Sequence, residues 1–147
     1  MKTFNYINRN FPLPKIEAIE DSSGRIYRLP SGNLVPSITT VLSYFKRKQL
    51  QEWRDRVGEQ EANRVTSKAS IRGTKFHSLM ERYLENKPKN EILNESVMPN
   101  MRQAFYDALP VVNRIDNIHH IECGLFSEKI RLAGRTDVVA EFDGQLS

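Results

Sequence analysis

Ala133-Gly-Arg-Thr-Asp137-Val-Val-Ala-Glu-Phe-Asp-Gly144 reads as a β-strand running into a tight turn. The run Val138-Val-Ala is apolar, and Asp143-Gly144 is the dipeptide that two-residue hairpin turns prefer, because both of its positions tolerate positive φ. Only Gln145, Leu146 and Ser147 follow. A strand usually has about five residues, so the chain looks cut short, with the final sheet begun but not completed and cut off at its edge.

Working back from that stretch, strand patterning covers His119 to Ser127, Arg131-Leu-Ala and Thr136 to Phe142. The clearest helix runs from Thr74 to about Asn86. Its apolar residues Phe76, Leu79, Met80, Tyr83 and Leu84 recur at spacings of three and four and define one buried stripe. A polar linker rich in Asn, Lys and Pro (residues 86–96) leads to a second helix, Met98 to about Val112, with Pro99 in its first turn and Pro110 near its end.

Ahead of these lie a segment from Gln49 to about Val57, a stop or bend at Gly58, and a helix from Glu59 to about Ser70. Ile38 to Phe45 reads as a short helix capped by Ser37 and followed by Lys46-Arg47-Lys48. Lys15 to Glu20 and Arg25 to Leu29, separated by Asp21-Ser-Ser-Gly24, read as a hairpin. Helices thus come first and strands last, the order of an α+β or α/β chain. The expected organisation is one domain over residues 1–147, with an N-terminal hairpin extension at 1–35 and the helices and sheet at 36–147.

Composition is ordinary for a globular chain, 39% hydrophobic and 27% charged. A single cysteine, Cys123, excludes an internal disulfide, and with three histidines it offers no zinc-ligand spacing. No apolar run is long enough for a membrane span or a signal peptide, so a cytoplasmic protein without membrane contacts is expected. The net charge of +4 is uneven. Residues 1–58 hold 10 Lys+Arg against 5 Asp+Glu, residues 59–90 hold 7 against 4, and residues 91–147 hold 5 against 9. That polarity suits a polyanion at one place and a divalent cation at another, although scattered solvated charge fits the counts equally well.

Magnesium and manganese take hard oxygen ligands, at times with an imidazole. Asp137, at the start of an apolar strand with Gly134 just before it, is a candidate ligand; the plainer alternative is a turn cap or a pair with Arg135 or Arg131. His77 sits one turn into its helix with Glu81 at i+4 on nearly the same face, where a satisfied boundary histidine is the commoner outcome. Glu81 is read as a solvated group or one behind the ligands rather than as a ligand, and Glu122, whose strand position could face either the site or solvent, as at most a group behind them. Arg72-Gly73-Thr74-Lys75, read as preceding the helix, would form an anion site from backbone N–H groups, the Thr74 hydroxyl and two cations. Lys46, Arg47 and Lys48, with Tyr44, Phe45 and Trp53 nearby, offer charge and stacking surface for a single strand of nucleic acid, whereas such aromatics more often belong to the core.

The combination of Arg72-Gly-Thr-x-x-His77 with Leu132-Ala-Gly-Arg-Thr-Asp137-Val-Val-Ala-Glu-Phe-Asp-Gly-x-Leu146 resembles the PD-(D/E)XK nuclease superfamily, in particular the RecB-like exonucleases of tailed phages and the mitochondrial genome maintenance exonuclease. The resemblance implies a restriction-endonuclease-like α/β core and phosphodiester hydrolysis on single-stranded DNA or DNA ends. It also implies Mg2+ or Mn2+ as cofactor, held by His77 and Asp137 as the catalytic pair. Arg72, Thr74, Lys75, Lys46, Arg47, Lys48 and Arg135 become candidate DNA contacts. A monomer in the cytoplasm, the host's for a phage protein, is the expected state. In that family an Asp or Glu, one residue and a Lys come next on the strand after the turn, followed by a Gln-x-x-x-Tyr helix; this chain stops before both. Weak magnesium binding and an inactive fragment are therefore expected, with a noncatalytic nucleic-acid binding module as the alternative.

Overall fold

The structure is a computed structural model that describes residues 1–7 and 13–147. Its elements are β1 (Glu17–Asp21), β2 (Gly24–Arg28), β3 (Leu34–Pro36), α1 (Ile38–Val57), α2 (Glu59–Leu84), α3 (Lys89–Ile92), α4 (Pro99–Val112), β4 (Ile115–Ser127), β5 (Leu132–Phe142) and β6 (Gln145–Leu146). The chain is α+β, with one three-stranded sheet in the order β1-β2-β3 and another in the order β4-β5-β6. It divides into two compact units. Met1–Arg9, Asn63–Ile121 and Val138–Ser147 form the first; Asn10–Ala62 and Glu122–Asp137 form the second. Among the described residues no helix is long and apolar enough to cross a membrane.

The first unit is built on the stripe of α2. Leu79, Tyr83 and Leu84 are buried together with Ile92, Met101, Phe105, Ile118 and Ala140, and Phe76 and Met80 pack against the same cluster. Edge-to-face rings join Phe4 to Tyr83 at 5.0 Å and Tyr83 to Phe105 at 5.4 Å. The Tyr83 hydroxyl donates to Asn113 Oδ1 at 2.7 Å and accepts the Lys2 N–H at 3.0 Å, so the buried phenol has no unmet polar atom. α2 ends because Asn86 takes a left-handed φ of 61°. Its amide then clasps the Phe4 backbone from both sides, accepting the N–H and donating to the carbonyl. Residues 1–7 are thereby fixed to this unit, with Tyr6 bridged to Ile118 in parallel.

Several boundaries differ from those read in the sequence. The linker at 86–96 is not wholly solvated: α3 lies within it, and Ile92 and Leu93 join the core. β4 begins at Ile115 and β5 runs unbroken through Gly134. Asp143 and Gly144 adopt φ of 52° and 78°, as the hairpin reading requires. The returning strand is begun as read: β6 has two residues, pairing Gln145 with Phe142 and Leu146 with Glu141, and Ser147 exchanges both backbone bonds with Ala140.

In the second unit β1, β2 and β3 form an antiparallel meander in which Ile19 faces Ile26 and Tyr27 faces Val35. Tyr27, Leu29, Val35 and Ala133 make its buried cluster. The buried Ser37 caps α1 as expected, its hydroxyl accepting the Thr39 N–H. α1 does not stop at Phe45: Lys46-Arg47-Lys48 lies inside one helix of 20 residues. No Gly or Pro interrupts Ile38 to Val57, and Lys, Arg, Gln and Leu are all good helix formers. Gly58, with φ 85°, ends it.

α2 is also longer than its apolar pattern indicates. It runs without a break through Ser70-Ile-Arg-Gly-Thr74. A single interior Gly costs a helix about 1 kcal/mol relative to Ala, too little to stop one that is anchored by packing further along.

Candidate metal centre

Phe76, on α2, and Ile121 and Val138, on β4 and β5, pack against the core of the first unit. The residue following Phe76 is His77, the one following Ile121 is Glu122, and the one preceding Val138 is Asp137. His77, Glu122 and Asp137 each offer one ligand atom, and these atoms all lie within 4.8 Å of one another. His77 and Glu122 are half-buried and Asp137 is exposed. Two carboxylates with one imidazole form a hard, mostly oxygen donor set, which fits magnesium or manganese better than zinc or copper.

Glu122 has a larger part here than the sequence assigns to it. Its backbone takes φ 53° inside β4, a left-handed conformation that costs a non-glycine residue about 1–3 kcal/mol and that gathers at functional sites. Such an irregularity turns a strand side chain away from its regular alternation. Arg135 then holds the carboxylate from one side, with Nε 2.7 Å from Glu122 Oε2. Nothing in the sequence forecasts a positive φ at a glutamate, so this residue was legible as acidic but not as a joint ligand. The neighbouring Cys123 thiol is pushed above its ordinary range, chiefly by burial.

The other expected contributors fall in different places. Glu81 is half-buried on α2 and is not one of the three grouped residues. The anion site at a helix start does not form. Arg72, Gly73, Thr74 and Lys75 lie mid-helix, where backbone N–H groups serve the i→i−4 ladder and are closed to a phosphate. Arg72 and Lys75 line a groove of the first unit together with Lys68 and Arg82, whereas Thr74 does not. On the same helix His77 is roughly 140–160° around the axis from Arg72 and Lys75, at about 100° per residue. Gly134 admits no ligand: a Cβ there would meet Ile38 Cγ2 at 2.8 Å, so the missing side chain makes room for the start of α1. Arg135 is exposed and paired with Glu122 rather than with Asp137.

Lys46, Arg47 and Lys48 are exposed on α1. Tyr44 is 65% exposed and Phe45 73% exposed, which corrects the expectation that these rings belong to the core, while Trp53 is half-buried. The two rings meet edge to face at 5.9 Å, and the Arg47 guanidinium stands 5.2 Å from the Tyr44 ring centre. Across the whole chain no protein-family model matches, and no curated protein matches either.

Proposed function

We propose that this chain carries the metal-binding part of a PD-(D/E)XK-type DNA nuclease that hydrolyses phosphodiester bonds in single strands or at DNA ends. The observation that carries the reading is the convergence of His77, Glu122 and Asp137 within 4.8 Å. A divalent cation in such a set supplies a Lewis acid that activates water and neutralises charge on a scissile phosphate. The protein's own part is to hold the ligands still: Arg135 fixes the Glu122 carboxylate, and the packed neighbours Phe76, Ile121 and Val138 fix the backbone beside each ligand. The exposed rings of Tyr44 and Phe45, flanked by Lys46, Arg47 and Lys48, suit the bases and phosphates of a single strand.

Titration calorimetry with Mn2+ and Mg2+ is the direct test, because it needs only the ligands. Binding is expected in the parent chain and lost in Asp137→Ala, with a marked weakening in Glu122→Gln and His77→Ala. Mn2+ affinity unchanged by Asp137→Ala defeats the reading.

The exposure of Tyr44 and Phe45 favours a second reading, a noncatalytic module that binds single strands. Oligonucleotide affinity that falls with salt, ignores Mg2+ and survives Asp137→Ala selects it.

A further inference from the structure

The first unit carries a groove of about 830 Å3 along α2, closed on its far side by the segment from Asn94 to Met101. Four cations line it, Lys68, Arg72, Lys75 and Arg82, and no carboxylate does. Lys68, Arg72 and Lys75 form no ion pair among the described residues, and Arg82 is steadied by bonds to the Glu91 carbonyl and the Ser78 hydroxyl, each 3.1 Å. Ile71, Leu79, Met98 and Met101 supply an apolar floor. Ile71 is 57% exposed and Met98 59% exposed, so much of that floor faces water.

We propose that this groove docks an acidic amphipathic helix of a partner protein, aliphatic side chains on the floor and carboxylates against the basic rim. Helix-in-groove recognition asks for apolar anchors at i, i+3 or i+4 and i+7, and Met-rich floors adapt to such anchors. Lys68, Arg72 and Lys75 stand at i, i+4 and i+7 and span roughly 10 Å of axis at 1.5 Å per residue. Carboxylates at the same spacing on a docked helix would repeat that interval. At a diameter of about 10 Å and a pitch of 5.4 Å, one helical turn fills roughly 400 Å3, so the groove accepts about two turns.

A polynucleotide fits less well. It draws about 1–3 kcal/mol per base from stacking on aromatic rings, and no aromatic residue lines this groove. The inference is independent of the nuclease reading, since none of His77, Glu122 and Asp137 lines the groove.

The probe is a fluorescein-labelled 15-residue helical peptide, leucines at spacings of three and four and glutamates beside them, tested on the full chain by anisotropy. Its controls are a shuffled peptide of identical composition and a labelled dT15. The ordered peptide should bind at least about tenfold more tightly than the shuffled one, since apolar anchors need the helical spacing. Lys68→Glu with Lys75→Glu should weaken it about tenfold or more through like-charge repulsion. Met98→Asp and, separately, Ile71→Asp should each weaken it about fivefold or more by wetting the floor. All four positions are exposed, and far-UV circular dichroism checks that each variant keeps its fold. Equal binding of ordered and shuffled peptides, or indifference to both floor variants, overturns the proposal. So does dT15 binding that the rim variant abolishes while the ordered peptide fails to bind; the groove would then belong to a nucleic acid.

Discussion

Two helices of similar charged composition differ in what they bury. α2, from Asn63 onward, lays Leu79, Tyr83 and Leu84 into the core of the first unit, and Tyr83 is sealed there by two rings and two hydrogen bonds. α1, in the second unit, has no buried residue although it carries Leu42, Tyr44, Phe45 and Leu50, all more than half exposed. Burial of a large apolar side chain is worth about 1.5–3 kcal/mol, so α2 contributes to stability what α1 forgoes. α1 thus leaves two adjacent aromatic rings in water beside three cations, the surface on which the proposed single-strand binding rests.

The sharpest way to break that contrast is to remove a ring from each side. Phe105 is fully buried against Tyr83, and Phe105→Ala should cost about 3–5 kcal/mol in urea unfolding, as a cavity in a packed core does. Phe45→Ala should stay within about 0.5 kcal/mol of the parent, as exposed positions do. Comparable losses in the two variants would erase the distinction. Ligand binding should then show the reverse order. Tyr44→Ala and Phe45→Ala should each weaken a labelled dT oligonucleotide, at fixed salt, by about 1–3 kcal/mol, while Phe105→Ala, measured where it remains folded, leaves affinity intact. Anisotropy unchanged by both α1 variants would deprive the exposed rings of their assigned ligand.

How much of this could be read from the chain itself depends on the range over which each feature is decided. The stripe of α2, the Ser37 cap and the Asp143-Gly144 turn are local, and their residues declare them. The union of Ile38–Phe45 with the following basic segment into one helix was legible in principle, since nothing there breaks a helix. Arg72-Gly73-Thr74 misleads because glycine and threonine mark a helix start only on average, and here packing beyond them carries the helix through. His77 and Asp137 were readable as candidates by type, spacing and resemblance. Glu122 as their companion was not, because its placement depends on a left-handed backbone in the middle of a strand. The clasp of Asn86 on Phe4 joins residues 82 apart in sequence and has no local signature.

Gly73 makes the contrast testable in the stabilising direction. It lies exposed inside α2, its φ is not left-handed, and a Cβ would meet nothing within 4 Å. Gly73→Ala should therefore raise stability by about 1 kcal/mol, through helix propensity and a less flexible unfolded chain. A drop in urea midpoint would mean that the glycine is needed for a close approach after all. The equivalent change in the second unit has the opposite sign: at Gly24, with φ 129°, a Cβ would meet Thr40 Cγ2 at 2.7 Å, so Gly24→Ala should destabilise.

Acid should separate the two units by the reach of their carboxylates, with the smallest effect of all. Asp116, in the first unit, is held below the usual carboxylate range chiefly by the Asn5 N–H at 2.9 Å, with help from the Asn117 N–H and Lys2. Asp21, in the second, is lowered by the Ser23 hydroxyl and N–H two residues away. In both the folded state favours the charged form, so the contribution is complete above the unfolded value near 3.9 and is lost as pH falls below it through the folded one. Protonating Asp116 releases a tie between residues 111 apart, whereas protonating Asp21 loosens only a turn. Asp116→Asn should accordingly flatten the fall of the urea midpoint between about pH 4 and pH 3, and Asp21→Asn should barely alter it. Equal slopes for the two variants would show that the N-terminal tie adds no more to folding than a local turn does.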